Sequence, residues 1–539
     1  MLFIFAFIIS LVVTMVLIPP VIKWADKIGA IDIPDARKVH TQAIPRVGGI
    51  AMVVGSVISI LLLAELDQQL IAILISFVVI WGFGLWDDKC DLNYKTKFLG
   101  QFLAVIIVVI WGDVIVRTFP FIDGQIADYF AIPLTVFALV GITNAINLSD
   151  GLDGLAGGTS LISISIIALL AFDAGGEMVL LVSMAVAGSI FGFLRHNTYP
   201  ARLFMGDTGS QFLGFSLGVL VIVLTQSVNS AMSMLIPLFI LGLPILDTIA
   251  VMGQRIYERR SPFSPDKNHI HHKLLDIGFD QYEAVFIIYL VQSALIAVAY
   301  FMMYESDALL LLIYMVSSAS VFGIFIFARV NNWSFHKQEE DEVSALRIVV
   351  RGLRDKGWLT IVPTQFLMLV IPLVFISSFV FAVQIQVDMA VLAAALIFIM
   401  ITAFVLKLKA TDVLEKAVVY IVAVMAIYSM LLGEYDLEIK NIINILFFMM
   451  AVSFALRIRF STDKTFQITP LDYLVIILVI IVPNLPKAHL DDSSIGEMAV
   501  KLVILFYASE AIMGYKARRW DLMRIGTLSA LLVVVFRGF

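Results

Sequence analysis

Runs of about 20 mainly apolar residues recur along the whole chain, and each is long enough to cross a hydrocarbon core of about 30 Å as a helix. Eleven precede residue 330, near 1–22, 47–64, 69–86, 98–116, 130–147, 157–172, 177–194, 210–226, 231–250, 284–303 and 308–328. A charged stretch, Arg329 to Gly357, follows, and beyond it lie runs near 359–383, 389–406, 414–432, 440–456, 470–486 and 498–514, with a short one near 525–536. Lipid offers backbone amides no hydrogen-bond partner, so segments of this kind must pair their own amides as helices. The expected fold is therefore an all-α polytopic membrane protein, with about eleven transmembrane helices in residues 1–330, a charged linker at 331–357 and six or seven helices in 358–539. A soluble protein is about 25% charged; this chain of 539 residues is 14% charged and 61% hydrophobic, which excludes that class. Met1 to Ile22 lacks the basic start and small-residue cleavage site of a secretory signal and reads as the first span. A single cysteine, Cys90, excludes an intrachain disulfide and a cysteine-based zinc site.

Orientation follows from the positions of Lys and Arg, because basic loops stay on the cytoplasmic side. With the N-terminus outside, segments 23–46, 87–97, 195–209, 251–283, 329–357, 407–416, 457–469 and 515–525 share one face and carry 31 of the 36 basic residues. Only Arg117, Lys440, Lys487, Lys501 and Arg537 fall elsewhere. A net charge of −6 leaves no broad basic surface for nucleic acid.

Five polar clusters sit at span ends on that basic face, where carboxylates are costly unless they face a polar cavity or serve a function. The first, Asp32 to Gly49, contains Arg37, Lys38 and Arg46 and reads either as an ordinary basic loop or as an anion site, with Gly48 and Gly49 allowing close backbone approach. In the second, Asp87, Asp88 and Asp91 precede Lys95 and Lys97; such carboxylates gather a hard divalent cation, although the Asp-Asp-x-x-Asp pattern alone is moderately specific. The third places Asn144, Asn147 and Asp150 on one side of a helix end, followed by Gly151, Leu152, Asp153 and Gly154, a set able to read a nucleobase edge or a ribose. In the fourth, Asp207 stands between glycines at a helix start, suited to a metal that also contacts phosphate, and Phe204 can stack on a base. The fifth joins Arg255, Arg259 and Arg260 to His269, His271 and His272. Three imidazoles could bind zinc, but the arginines oppose a cation and favour donation to a diphosphate. Carboxylates for a metal, cations for phosphate and a nucleoside-reading set are the parts of phosphoryl transfer from a nucleotide to a lipid.

Four of these motifs, in this order, resemble the polyprenyl-phosphate N-acetylhexosaminyl-1-phosphate transferases: Asp87-Asp88-x-x-Asp91; Asn144-x-x-Asn147-x-x-Asp150-Gly151-Leu152-Asp153; Phe204-Met205-Gly206-Asp207; and Ser261-Pro262-Phe263-Ser264-Pro265-Asp266 before His269, His271 and His272. The resemblance covers residues 1–330. Ile270 interrupts the histidines, as in the branch transferring N-acetylglucosamine 1-phosphate, whereas the peptidoglycan branch has three consecutive histidines. It implies transfer from a UDP-N-acetylhexosamine to undecaprenyl phosphate with release of UMP. The cofactor implied is Mg2+, with Mn2+ as the alternative. The site implied faces the cytoplasm in a bacterial inner membrane.

Carried over residue by residue, Asp207 is the main metal ligand, supported by Asp87 and Asp88, and Asp87 deprotonates or positions the lipid phosphate, with Asp91 supporting charge. Asp150, Gly151, Leu152, Asp153 and Phe204 form a uridine pocket, while Lys97, His269, His271 and His272 contact phosphates. Arg37, Lys38, Arg46, Asn144, Asn147, Arg255 and Asp266 complete the substrate-binding set. The bilayer is a necessary partner, and the reading leaves open a homodimer and downstream polysaccharide enzymes acting through 358–539. The competing class is a transporter or lipid flippase, which places polar residues near the midplane of broken helices and often shows inverted repeats. Here the clusters crowd one face and no repeat is visible.

Overall fold

The computed structural model describes residues 2–32, 43–122, 124–261, 268–331, 333–334, 358–405, 411–431, 433, 437–460, 494–513 and 520–539. They form two compact units, whose described residues are 2–334 and 358–539.

The first unit is a helical bundle: α1 (Leu2–Ile28), α2 (Gly48–Leu63), α3 (Gln68–Cys90), α4 (Tyr94–Ile106), α5 (Asp128–Ser149), α6 (Leu155–Asp173), α7 (Glu177–Asn197), α8 (Gly206–Val223), α9 (Ile236–Ile240), α10 (Gly242–Tyr257), α11 (Ile270–Asp276), α12 (Gln281–Phe301) and α13 (Asp307–Val330). Its one sheet among the described residues is an antiparallel pair of two-residue strands, β1 (Ile31–Asp32) and β2 (Ile44–Pro45). Eleven described helices of the whole chain are long and apolar enough to cross a membrane, nine of them in this unit, so the chain is a multi-pass membrane protein. Helices α6, α7 and α8 are apolar on all sides and form the buried centre, with Phe193, Phe212 and Phe215 fully enclosed, while α13 is largely exposed, as a lipid-facing helix would be.

Two of the eleven runs differ from the expectation. The run near 47–64 forms a helix of only 16 residues, about 24 Å long and short of the bilayer core. Its first amides are spent inside the protein: Gly48 N donates to Phe204 O and Gly49 N to Met205 O, both at 2.9 Å. A Cβ on Gly49 would overlap the Gly209 backbone, so these glycines admit the chain's own 204–209 segment. The run near 231–250 is broken into α9 and α10. Pro244 has no N–H to give the Ile240 carbonyl in a continuous helix. That carbonyl instead accepts from Ser163 Oγ at 2.6 Å and Gln292 Nε2 at 2.7 Å, and Gln292 Oε1 receives the Leu243 N–H at 3.1 Å. Side chains of α6 and α12 therefore hold the break closed.

Arg117, an exception to the basic-face rule, is neutralised where it stands by Asp113 at 2.7 Å and Asp128 at 3.1 Å.

The second unit contains helices Trp358–Val380, Val387–Val405, Thr411–Leu431, Leu437–Phe460, Ser494–Met513 and Trp520–Gly538. The run near 470–486 lies outside the described residues, and the short run near 525–536 belongs to a helix of 19 residues. Leu367, Ile371, Phe375, Val422, Met450, Ala508 and Leu531 contribute to one core. The buried Glu415 carboxylate is paired with Arg524 Nη2 at 2.9 Å, and buried Arg457 donates from Nη1 to Thr364 Oγ1 at 2.6 Å. Arg537 donates to the Phe379 and Val380 carbonyls at 2.6 and 2.8 Å, satisfying the end of the helix Trp358–Val380.

Candidate active site

The Asp-Asp-x-x-Asp segment closes α3. Asp91 adopts a left-handed conformation with φ 45° and its N–H returns to Asp87 O, which stops the helix. Asn93 then caps α4 by accepting from Thr96 N at 3.0 Å. This tight helix–turn–helix folds Lys97, in the first turn of α4, back onto α3, where Lys97 Nζ lies 2.5 Å from Asp87 Oδ2. Asp87 Oδ1 accepts from Leu92 N at 2.7 Å.

Asp88 serves the neighbouring helix. Its Oδ1 accepts from Asp207 N at 2.7 Å, and its Oδ2 accepts from Thr208 N at 3.0 Å and Thr208 Oγ1 at 2.5 Å. A carboxylate on the first amides of α8 is where the helix dipole favours negative charge. Gly84 permits the approach, since a Cβ there would lie 2.6 Å from Thr208 Cα. Asp207, the next acidic group, projects from the first turn of α8. It receives Asn147 Nδ2 of α5 on Oδ1 at 2.6 Å and Lys97 on Oδ2 at 3.3 Å. Asn147 also reaches Ser210 Oγ at 2.7 Å. Four helices thus converge on one ammonium held between two carboxylates. Asp87 is 1% exposed and Asp88 6%, while the Lys97 and Asp207 side chains retain 32% and 23%, so the latter two form the accessible edge.

Behind this edge, Asn144 Nδ2 donates to Gln101 Oε1 at 2.7 Å and Gln101 Nε2 to Gln211 Oε1 at 3.1 Å, a buried amide chain joining α5, α4 and α8. The loop 150–154 lies beside it. Burial pushes the Asp150 carboxyl up to about 7, with the Asp207, Asp153 and Asp88 charges adding and Arg46 opposing. Asp153 Oδ2 accepts from Ala201 N at 2.9 Å, Gly154 N donates to Asn197 Oδ1 at 3.0 Å, and Leu152 is buried. A Cβ on Gly151 would overlap the His271 ring, so that imidazole packs directly on the loop. Burial, then His272 and His269, bring the His271 pKa down to about 3, which leaves this ring neutral near pH 7 and able to donate one N–H.

The raised Asp150 pKa has a testable sign. Its proton is held more tightly in the folded chain, so its contribution to stability is lost as pH rises from the ordinary Asp value through about 7. Asp150→Asn is expected to raise the melting temperature of the purified protein more at about pH 8 than at about pH 5, because only the former condition ionises the half-buried carboxyl in the folded chain. Equal shifts at both pH values would contradict this.

The other sequence-derived residues divide. The Asp91 side chain is 94% exposed and turned from Asp87 and Asp88, with Arg46 Nη1 3.8 Å away. Arg46 also pairs with Asp32 and bridges, through its backbone, to half-buried Phe204. Arg255 is buried in α10, and His272, half-buried, places its ring 4.3 Å from that of His271. Arg37, Lys38 and Asp266 lie outside the described residues. Sequence reasoning passed over Gln101, Gln211 and Asp247, and gave no role to Thr208 and Ser210 at the end of the fourth cluster. Asp247 was legible as a lone carboxylate within the apolar run near 231–250. Among the described residues, no three His, Cys, Asp or Glu side chains are gathered as a metal cluster; the pair sharing a cation is Asp87 and Asp207.

Comparison with known proteins places the chain in a family. Residues 70–225, which include the ends of α3, α4, α5 and α8 described above, match glycosyl transferase family 4. Over 289 residues the chain is 42% identical to a protein of Bacillus subtilis named probable undecaprenyl-phosphate N-acetylglucosaminyl 1-phosphate transferase, covering 53% of this chain and 81% of the relative. A decaprenyl-phosphate N-acetylglucosaminephosphotransferase of Mycobacterium tuberculosis is 34% identical, covering 50% of this chain and 75% of its own length. The undecaprenyl-phosphate alpha-N-acetylglucosaminyl 1-phosphate transferase of Escherichia coli is 30% identical, covering 51% and 77%. Nearly half of this chain lies outside each of these alignments, yet most of each relative is matched, and the chain belongs to glycosyl transferase family 4, in its polyprenyl-phosphate N-acetylglucosaminyl-1-phosphate transferase branch.

Proposed function

We propose that this protein transfers N-acetylglucosamine 1-phosphate from UDP-N-acetylglucosamine to undecaprenyl phosphate and releases UMP. A phosphate oxygen of the lipid attacks the β-phosphorus of the nucleotide sugar. The bond from that phosphorus to the bridging oxygen breaks, and the bridging oxygen leaves with UMP. The observation that carries the reading is the cation held between Asp87 and Asp207 where α3, α4, α5 and α8 meet, within the segment matched by the family. The concentration of Lys and Arg on the same side of the spans supports a site on the cytoplasmic face of a bacterial inner membrane.

The donor set fits a hard divalent cation such as Mg2+, with Mn2+ as the alternative. Asp87 and Asp207 already share one cation, and both are oxygen ligands that would leave places for water and phosphate. Asp207 and Asp87 would hold the metal, which when bound supplies charge neutralisation to the phosphoryl oxygens. Asp88 fits a positioning role better than direct ligation, because amides and a hydroxyl of α8 hold both of its oxygens, whereas Asp87 Oδ2 and Asp207 Oδ2 meet only the Lys97 ammonium, whose place a metal ion would take. With the metal between the two carboxylates, Lys97 would turn its ammonium to the transferred phosphoryl group. A phosphate monoester has its second ionisation near pH 6, so the lipid phosphate is largely ready to attack without a base. The loop Asp150 to Asp153 with Phe204 forms the uridine-binding side, and His269, His271 and His272 face the diphosphate. Arg46 and Arg255 add positive charge to the nucleotide side. We assign the second unit no step of the reaction; contacts with a second copy or with downstream polysaccharide enzymes are roles it could serve.

The test is UMP release by purified full-length protein with undecaprenyl phosphate, Mg2+ and each of several UDP-N-acetylhexosamines. The expected product appears with UDP-N-acetylglucosamine, falls about 100-fold or more with EDTA and returns when Mg2+ is added in excess. Turnover of a different UDP-sugar would overturn the sugar assignment, and EDTA-insensitive turnover would overturn the metal.

A further inference from the structure

Asp247 lies in α10 and is 7% exposed. An ionised carboxylate is expensive to bury unless it is paired and hydrogen-bonded. Both of its oxygens are engaged: Oδ2 lies 2.7 Å from His269 Nδ1, and Oδ1 accepts the Ile270 N–H at 2.9 Å. One side chain of α10 therefore holds both the N-cap residue of α11, His269, and its first helical amide. The break in the ninth apolar run sets this up. Because Ser163 and Gln292 hold the Ile240 carbonyl, α10 starts afresh at Gly242 and carries Asp247 in its second turn.

From His269 the contact continues. The rings of His269 and His271 stack with centroids 5.7 Å apart and planes 8° from parallel. His271 in turn packs on Gly151, beside Asp150 and Asp153. Asp247, His269, His271 and Gly151 thus form one row from α10 to the loop on the uridine-binding side, with a cavity lined by Ser149, Thr159, Asp247 and His271 next to it. An ionised carboxylate can only accept hydrogen bonds, so Nδ1 of His269 must carry the hydrogen that faces Asp247. That leaves Nε2 as the nitrogen able to act on a substrate.

We propose that Asp247 is a positioning residue for phosphoryl transfer, holding His269 as the Nδ1–H form with Nε2 directed to the diphosphate and, through the imidazole stack, steadying the Gly151 loop. Where Nε2 carries a hydrogen as well, it donates to a diphosphate oxygen and the Asp247 carboxylate balances the charge. The inference rests on the transferase reading, in which His269 meets the diphosphate. A carboxylate that merely tied α10 to α11 through the Ile270 amide would make no demand on the tautomer.

The experiment has two arms on the full-length protein. In the first, histidine is labelled with nitrogen-15, and the His269 signals are identified by their loss in His269→Gln. Wild type is expected to show a protonated Nδ1, and Asp247→Asn the opposite neutral form, because its amide places N–H groups against Nδ1. In the second, Asp247→Asn is expected to lower kcat about 10–100-fold, the cost typical of losing a partner that orients a working imidazole. The KM for UDP-N-acetylglucosamine should change less than about threefold. Added to His269→Gln, the same substitution should cost less than about twofold more, since the two residues act as one unit. An unprotonated Nδ1 in wild type overturns the inference whether or not the protein turns over. A full additional loss in the His269→Gln background overturns it as well and leaves Asp247 as a helix tie. Absence of UMP release from every UDP-sugar by folded wild type would instead overturn the transferase reading and with it the catalytic half of the inference, while the spectrum still decides the tautomer.

Discussion

Asp207→Asn is expected to abolish UMP release, lowering kcat by about 1,000-fold or more while the protein remains folded. The substitution preserves size but removes the charge that Lys97 and a divalent metal require. It also brings an amide N–H₂ toward either Asn147 Nδ2 or Lys97 Nζ, both of which are donors aimed at the carboxylate oxygens. Whichever way the new amide turns, one donor faces another. Asp88 gives the discriminating comparison. Its oxygens cap α8 through the Asp207 and Thr208 amides, so Asp88→Asn should lower the melting temperature as well as activity. Loss of activity after Asp207→Asn without loss of the fold would separate the chemistry at Asp207 from the scaffold at Asp88. Retained turnover in Asp207→Asn would remove that residue from the metal and phosphate chemistry altogether.

Gly206→Ala should be almost as damaging, for a backbone reason. Gly206 has φ 70°, and a Cβ there would lie 2.5 Å from both oxygens of Asp88. A left-handed alanine alone costs about 1–2 kcal/mol. Displacing Asp88 would further strip α8 of three hydrogen bonds to a charged group, each worth about 1.5–3 kcal/mol. A loss of several kcal/mol falls directly on the segment that presents Asp207. The expected result is a clear drop in melting temperature by nanoscale fluorimetry, together with loss of UMP release. Wild-type values for both would show that the loop relaxes at little cost and that Asp88 is not held as tightly as its hydrogen bonds imply.

Hydrophobic length is local, so most spans were readable directly, as were Asp87, Asp88, Asn147, Asp150 and Asp207 as polar groups at span ends. The break between α9 and α10 was missed because apolar length alone does not register Pro244, and what stabilises the break comes from Ser163 and Gln292, distant in sequence. Gly48 and Gly49 were read as space for an anion, yet the backbone they admit is that of residues 204–209.

Within the site the same division holds. Residue type shows that Asp87, Asp88 and Asp91 are acidic but not that they diverge: Asp87 toward Lys97, Asp88 into α8, Asp91 toward solvent. Those directions depend on where α3 ends and on how closely Gly84 lets α8 approach. Likewise, the three histidines stand together in the sequence, while the carboxylate hydrogen-bonded to His269 stands 22 positions earlier on another helix. Apolar length, charge asymmetry and ordered motifs are encoded residue by residue and determine the membrane bundle and its class of chemistry. Which carboxylate is presented, which is consumed by the scaffold and which imidazole nitrogen is left for a substrate are decided only when distant helices pack, because each depends on a hydrogen-bond partner that the local sequence does not contain.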